Sequence, residues 1–306
     1  MENKLGIKYV FLLGLAVLLL NACAGPQTKN FVVFANSGVL FTNEVPKVYD
    51  YAYRSEVNMD SAKLIEDRER AIKLGSSGVD LADTLKDRNQ LFLDRLEQFN
   101  LMKKHALLLR SYFVALANLA AGEVPEKAGI SASNIASQLK GLEPKIANIK
   151  IEGRAVTSLL QPVTEFAIAA FQNRQLKEHL EEHGKSVFDA IGLQKEMFLL
   201  LRDIELDQDK EGWRRRENVE LAKPLNDLKT GLPANWADQR VSLLTISPSE
   251  TPITAAIQAA EELQNNLKSL AANHGSALDQ LERSIIWVDA LLQAFEKARP
   301  GQSESK

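Results

Sequence analysis

Residues 80–122 read DLADTLKDRNQLFLDRLEQFNLMKKHALLLRSYFVALANLAAG. Between the opening Asp80 and the closing Gly122 there is no proline and no internal glycine. Leu85, Phe92, Phe99, Ala106, Phe113 and Ala120 step by seven, and beside them run Leu81, Arg88, Arg95, Met102, Leu109 and Leu116. A seven-residue repeat holds one seam on one face of a helix, and a repeat sustained this long implies coiled-coil-like packing against other long helices. Asp80 is placed to be the N-cap. Some 40 residues at 1.5 Å each give a rod about 60 Å long.

The same period recurs on both sides of this stretch. Phe34, Phe41 and Val48, with Val45 and Ala52 beside them, predict a first helix, interrupted at Pro46 by a kink or restart. Its charged continuation keeps Leu64, Ile65 and Ile72 and ends at Gly75-Ser-Ser-Gly78. After a connection carrying Pro125, a short helix is expected over 131–142. A third long helix is expected over 145–183, kinked at Pro162, with Ile149, Val156, Val163 and Ala170 on one seam and Leu159 and Phe166 beside it. Gly184 is read as a break, followed by a fourth long helix over 186–229 bearing Ala190, Met197 and Ile204, with Leu225 and Leu232 resuming the seam near and beyond its end. A short segment over 235–246 and a linker over 247–252 precede a last helix over 253–298, with Ile253, Ala260, Leu267, His274, Leu281, Val288 and Phe295 in register. No stretch alternates with period two between turn residues, so no strand is expected. The fold class predicted is all-α, an elongated antiparallel bundle of four to five long, kinked helices with coiled-coil-like seams. One bundle domain over 31–299 and a disordered tail over 300–306 complete the division.

The amino terminus has another character. Lys4 and Lys8 precede the apolar run Tyr9–Leu20, which closes on Leu20-Asn21-Ala22-Cys23. A cationic start, an apolar core of this length and a small residue before a break make a secretory signal peptide. The ending resembles the lipobox of bacterial lipoproteins. That resemblance implies cleavage between Ala22 and Cys23, a signal peptide over 1–22, and diacylglycerol plus an acyl chain (the class commonly carries palmitate) on Cys23. It also implies a lipidated tether over 23–30. In that class an aspartate after the cysteine retains the protein in the inner membrane. Here that position is Ala24, which implies the outer membrane, with the domain on its periplasmic side. At about 0.8 kcal/mol per buried methylene, several chains anchor stably where one does so marginally.

Cys23 is the only cysteine in the 306 residues, so no disulfide can staple the domain and burial alone must stabilise it. The chain has 37 basic and 40 acidic residues, a net of −3, which argues against a nucleic-acid partner and supplies no polybasic grip on anionic lipid.

Four clusters are candidates for chemistry. His179-Leu-Glu-Glu-His183 sets two imidazoles one turn apart, a spacing that can hold a metal. Leu180 stands where a zinc protease has glutamate, no cysteine is available as a further ligand, and the charged surroundings favour a solvated helix end over a metal site. Asp207, Asp209 and Glu211, followed by Gly212, resemble the start of an EF-hand calcium loop, yet position twelve is Asn218 rather than glutamate. Trp213-Arg214-Arg215-Arg216 has the composition of an interface patch. Arg88, Arg95 and His274 sit on apolar seams, which reads either as a polar layer that fixes helix register or as a wide, wet part of the bundle.

Residues 106–122 are apolar enough to raise membrane insertion, but Arg110 and Asn118 interrupt them and the length barely spans a bilayer. A buried core helix is the favoured reading. With no nucleophile, P-loop or Rossmann signature, the expectation is a lipid-anchored scaffold without cofactor, attached to the bilayer through Cys23 and binding envelope proteins or its own copies. The alternatives are a self-associating or membrane-acting bundle, and a metal or small-ligand binder.

Overall fold

The structure is a computed structural model, and it describes residues 26–75, 80–122, 125–151, 153–156, 167–168, 173–244, 251–272 and 277–297. The signal stretch with Ala22 and Cys23, Leu159, Pro162, Val163, Phe166, Ala170, His274 and the 300–306 tail lie outside them.

The fold is all-α. Helix α1 spans Pro26–Lys73, α2 Leu81–Ala121 and α3 Pro125–Ala147. The two-residue strands β1 (Lys150–Ile151) and β2 (Arg154–Ala155) pair antiparallel. Then come α4, Arg174–Arg216, a π-helical turn at Glu217–Ala222, and α5, Lys223–Asn226. Helices α6 (Trp236–Leu244), α7 (Pro252–Ala271) and α8 (Ala277–Lys297) complete the described elements.

Helix α1 is the hub, in contact with α2, α4, α7 and α8. Its first half explains why: Phe31, Phe34, Phe41, Val45, Val48 and Tyr49 are wholly buried. That apolar stripe is wider than one seam and can face several helices at once. Helix α2 runs antiparallel beside it, with Phe34 and Phe113 packed edge to face at 5.6 Å. Asp80 caps α2 as expected, its carboxylate accepting from the amides of Ala82 and Asp83. Gly122 closes the helix with φ +76°, a conformation open to glycine at little cost.

Several expectations are corrected. Residues 26–30, read as tether, are already helical, and α1 continues through Pro46 without restarting. The buried residues on either side of the proline hold the helix where local propensity would release it. Pro125 opens α3 rather than lying in a connection, since a helix's first turn needs no amide donor there. Helix α3 also runs past Pro144, so it is longer than the 131–142 piece expected.

The third long helix over 145–183 is absent. Its place begins with the small hairpin, turned at Gly153 with φ +78°, and a new helix starts at Arg174 under the Asn173 cap. The β-branched residues Ile149, Ile151 and Val156 suit an extended, half-buried backbone. Their side chains are buried there, so the seven-residue spacing among them marked core positions without marking a helix.

Gly184 does not break α4 but lies buried within it. The last helix is two: α7 ends at Ala271 and α8 starts at Ala277, either side of Asn273-His-Gly275-Ser276, a run of turn-forming residues. The two halves pack together, with Asn266 donating to Ser284.

The long helices project beyond this core on one side. Residues 53–73 of α1 and 81–98 of α2 form an antiparallel arm away from α1's start. Tyr53 lies against Phe92 at 6.2 Å, and Arg215, at the end of α4, reaches Glu66 at 3.0 Å. Ile65, Ile72 and Leu74 on α1's side, with Leu85, Leu91 and Leu93 on α2, remain exposed on it. The α2 seam is therefore core only from Phe99 onward.

Candidate functional site

The expected polar layer is in place on the arm. Arg88 binds Asp60 at 2.7 Å and Asp67 at 3.4 Å, and Arg95 reaches Glu56 at 3.4 Å. Lys103 continues the row toward Asp50. Each pair joins α2 to α1, so a slip by one turn would part every cation from its carboxylate.

The histidine pair does not sit at a solvated helix end. His179 is 5% exposed, stacked on Tyr112 with ring centroids 5.6 Å apart. Its Nε2 shares a hydrogen bond with the Tyr112 hydroxyl at 3.0 Å, and Nδ1 lies 3.5 Å from Ser133 Oγ. Burial, with a further contribution from His183, pulls its pKa down to about 4. His183 is close, at 5.0 Å between rings. No third ligand joins them: no group of three or more potential metal ligands occurs among the described residues. The neutral imidazole is spent on tying α4 to α2 and α3.

The calcium-like run is helical throughout. Asp207, Asp209 and Glu211 lie inside α4, where successive residues turn by about 100° and alternate ones point apart. A calcium loop must instead wrap its ligands around one point. Gly212 lies within the same helix, where a Cβ would meet only the end of the Met59 side chain at ordinary contact distance, 3.4 Å.

Trp213 is half-buried and donates its indole N–H to the Leu243 carbonyl at 3.3 Å. Arg215 is engaged by Glu66, while Arg214 and Arg216 are exposed. Trp213 thus fastens α6 to α4, while Arg214 and Arg216 face solvent. Trp236 does the same from the other side, donating to the Leu221 carbonyl at 3.1 Å.

Two buried polar groups were not visible as such in the sequence. Gln194 on α4 accepts from the Tyr49 hydroxyl at 2.7 Å and donates to the Met102 carbonyl at 3.1 Å and to His105 Nδ1 at 2.9 Å. His105 is fully buried, and burial lowers its pKa to about 4. Glu205 accepts from Tyr51 at 3.0 Å and from Thr251, the N-cap of α7, at 2.9 Å. Burial, first among the causes, raises its pKa. The first cluster joins α4 to α1 and α2, and the second joins α4 to α1 and to the cap of α7.

A concavity lies elsewhere. A groove of about 700 Å³ separates the outer faces of α2 and α3. Helix α2 lines it with Arg110, Ser111, Val114 and Asn118, one continuous face at helical spacing. Helix α3 contributes Lys127, Ser131 and Ile135, and the small residues Ala115 and Ala128 form the floor. This face is what remains of residues 106–122 once Ala106, Leu109, Tyr112, Phe113, Leu116 and Leu119 have entered the core. Among the described residues no helix is long and apolar enough to cross a membrane.

Searches against family models, curated proteins and solved structures find no match for this chain.

Proposed function

We propose that the protein is a lipid-anchored, non-catalytic scaffold of the bacterial envelope, held in the outer membrane through acylated Cys23 and docking a protein partner at the far end of its α1–α2 arm. The long helices act as an elongated antiparallel bundle with coiled-coil-like seams, whose length carries the docking end away from the bilayer. The observation that carries this reading is polarity along the molecule. Helix α1 starts three residues after Cys23, and the exposed Ile65, Ile72 and Leu74 lie toward the opposite end of that helix, with exposed Leu85 near the start of α2. Clustered apolar side chains on an otherwise charged arm are the usual mark of a protein contact.

In vivo crosslinking of the lipidated protein, followed by mass spectrometry, tests the partner. One envelope protein should be recovered repeatedly, and Ile72→Ser with Leu74→Ser should reduce that yield several-fold without unfolding the core. Recovery of only further copies of this chain would replace the adaptor by self-assembly; no recovery at all would sink the docking role. Cys23→Ser tests the anchor separately, since it should abolish acylation and release the protein from the membrane fraction.

A further inference from the structure

We propose that the groove between α2 and α3 is a binding site for the phosphate headgroup of an anionic phospholipid, an inference that rests on the anchored reading above. Three observations converge. Arg110 and Lys127 both line the groove, and no carboxylate does. Among the described residues neither cation enters an ion pair, whereas Arg88, Arg95 and Lys103 of α2 do, so the charges of Arg110 and Lys127 are available to an anion. A guanidinium offers a planar fork to phosphate oxygens, and an ammonium adds a point charge.

The remaining donors and the walls fit the same ligand. Ser111 already donates to the Leu107 carbonyl at 3.0 Å, which leaves the Asn118 amide and the Ser131 hydroxyl to complete the oxygen shell. Val114, Ala115, Ala128 and Ile135 give an apolar wall beside the cations. Exposed Leu107 and Ile130 extend it beyond the rim. A site for free phosphate would need only the polar half; a glycerolipid uses both.

Position supplies the third argument. The contact of Phe113 with Phe34 fixes α2 antiparallel to α1, so Asn118 and the α2–α3 connection lie toward the start of α1. Three extended residues span about 10 Å, so an acylated Cys23 holds Pro26 close to the headgroup layer. The groove then opens at the membrane-facing end, where lipid phosphate is concentrated. Binding there would fix the tilt of the arm, which a flexible acyl tether alone cannot do.

Native mass spectrometry of the full mature protein in non-ionic detergent tests the site, with phosphatidylglycerol, phosphatidylcholine and inorganic phosphate as separate probes. We expect phosphatidylglycerol to be retained about ten-fold over phosphatidylcholine, with Arg110→Gln plus Lys127→Gln erasing the difference and Arg110→Lys keeping most of it. Unchanged circular dichroism will show that the double variant is folded. Equal retention of the two lipids, or a preference that survives the double substitution, would overturn the proposal. So would inorganic phosphate displacing the lipid at equal concentration, which would mark a free-phosphate site. The intact mass of the same sample reports acylation of Cys23, so a failed anchor and a failed groove give different spectra.

Discussion

Gly38 on α1 lies flat against the ring of Phe113 on α2: a Cβ at position 38 would stand 2.6 Å from three of the ring carbons. Real carbon contacts do not come that close, so the absence of a side chain is what lets the two central helices approach. Gly38→Ala sets two effects against each other. Alanine favours a helix by about 1 kcal/mol, while overpacking a buried contact of this kind costs about 1–3 kcal/mol. Because the ring is itself enclosed by Phe34 and Tyr112, the clash should win, with a net loss of up to about 2 kcal/mol in urea denaturation. Adding Phe113→Leu should make the pair less damaging than the sum of its parts. A Gly38→Ala protein more stable than wild type would show that the helices can separate freely.

Gln194 holds three partners from two other helices, and its replacement tests how much of the core's specificity is polar. Gln194→Leu fills the volume but leaves the Tyr49 hydroxyl without its acceptor and His105 Nδ1 without its donor. Two stranded groups at about 1–3 kcal/mol each predict a loss of about 3 kcal/mol. The midpoint of urea unfolding should fall with its slope unchanged. A neutral result would mean that water reaches the cluster.

Much of this architecture is legible in the sequence, and the failures have physical causes. Helix α2 was readable to its caps because Asp80 and Gly122 act locally and nothing between them conflicts. The first half of α1 was readable as core because its aromatics repeat. The restart at Pro46 and the break at Gly184 do not occur, since propensity measures an isolated helix and here packing overrides it. The hairpin at 150–155 was missed because four paired residues leave no periodicity to detect. His179 looked solvated because its neighbours in sequence are charged, whereas its partners Tyr112 and Ser133 come from other helices. The groove has no sequence signal: Arg110 and Lys127 meet only once α2 and α3 fold back on each other.

The arm should open independently of the core. Its stability rests on few buried apolar contacts and on Arg88, which spans Asp60 and Asp67 with all three groups only partly exposed. Arg88→Ala removes the cation and leaves two carboxylates facing each other, which should cost the arm about 1–2 kcal/mol after screening. In hydrogen exchange, amides in 53–73 and 81–98 should speed up about ten-fold, while those around Phe41 and Leu109 keep wild-type rates. Uniform acceleration everywhere would show that arm and core unfold as one unit.

Acid should weaken the protein over a definite window, and the sign follows from the two buried histidines. His105 and His179 both titrate near 4 in the folded chain, chiefly because burial disfavours their charged forms. An unfolded imidazole titrates at about 6.5. Above that pH both states are neutral and the difference vanishes. Between about 6.5 and 4 the unfolded chain binds protons that the folded chain refuses, so stability falls as pH falls, by up to about 3 kcal/mol for each histidine. Buried Glu205, with its raised pKa, has the opposite sign: its contribution is present below the ordinary carboxylate pKa and is lost as pH rises through its own. It therefore opposes the histidines only at the acid end of the window. Urea midpoints should drop steadily from pH 7 to pH 4.5, and His105→Gln should lose about half of that slope even though it is less stable at neutral pH. A wild-type midpoint that stays level across this range would mean that one or both imidazoles are protonated inside the fold, and that the Tyr112 and Gln194 contacts are drawn with the wrong proton.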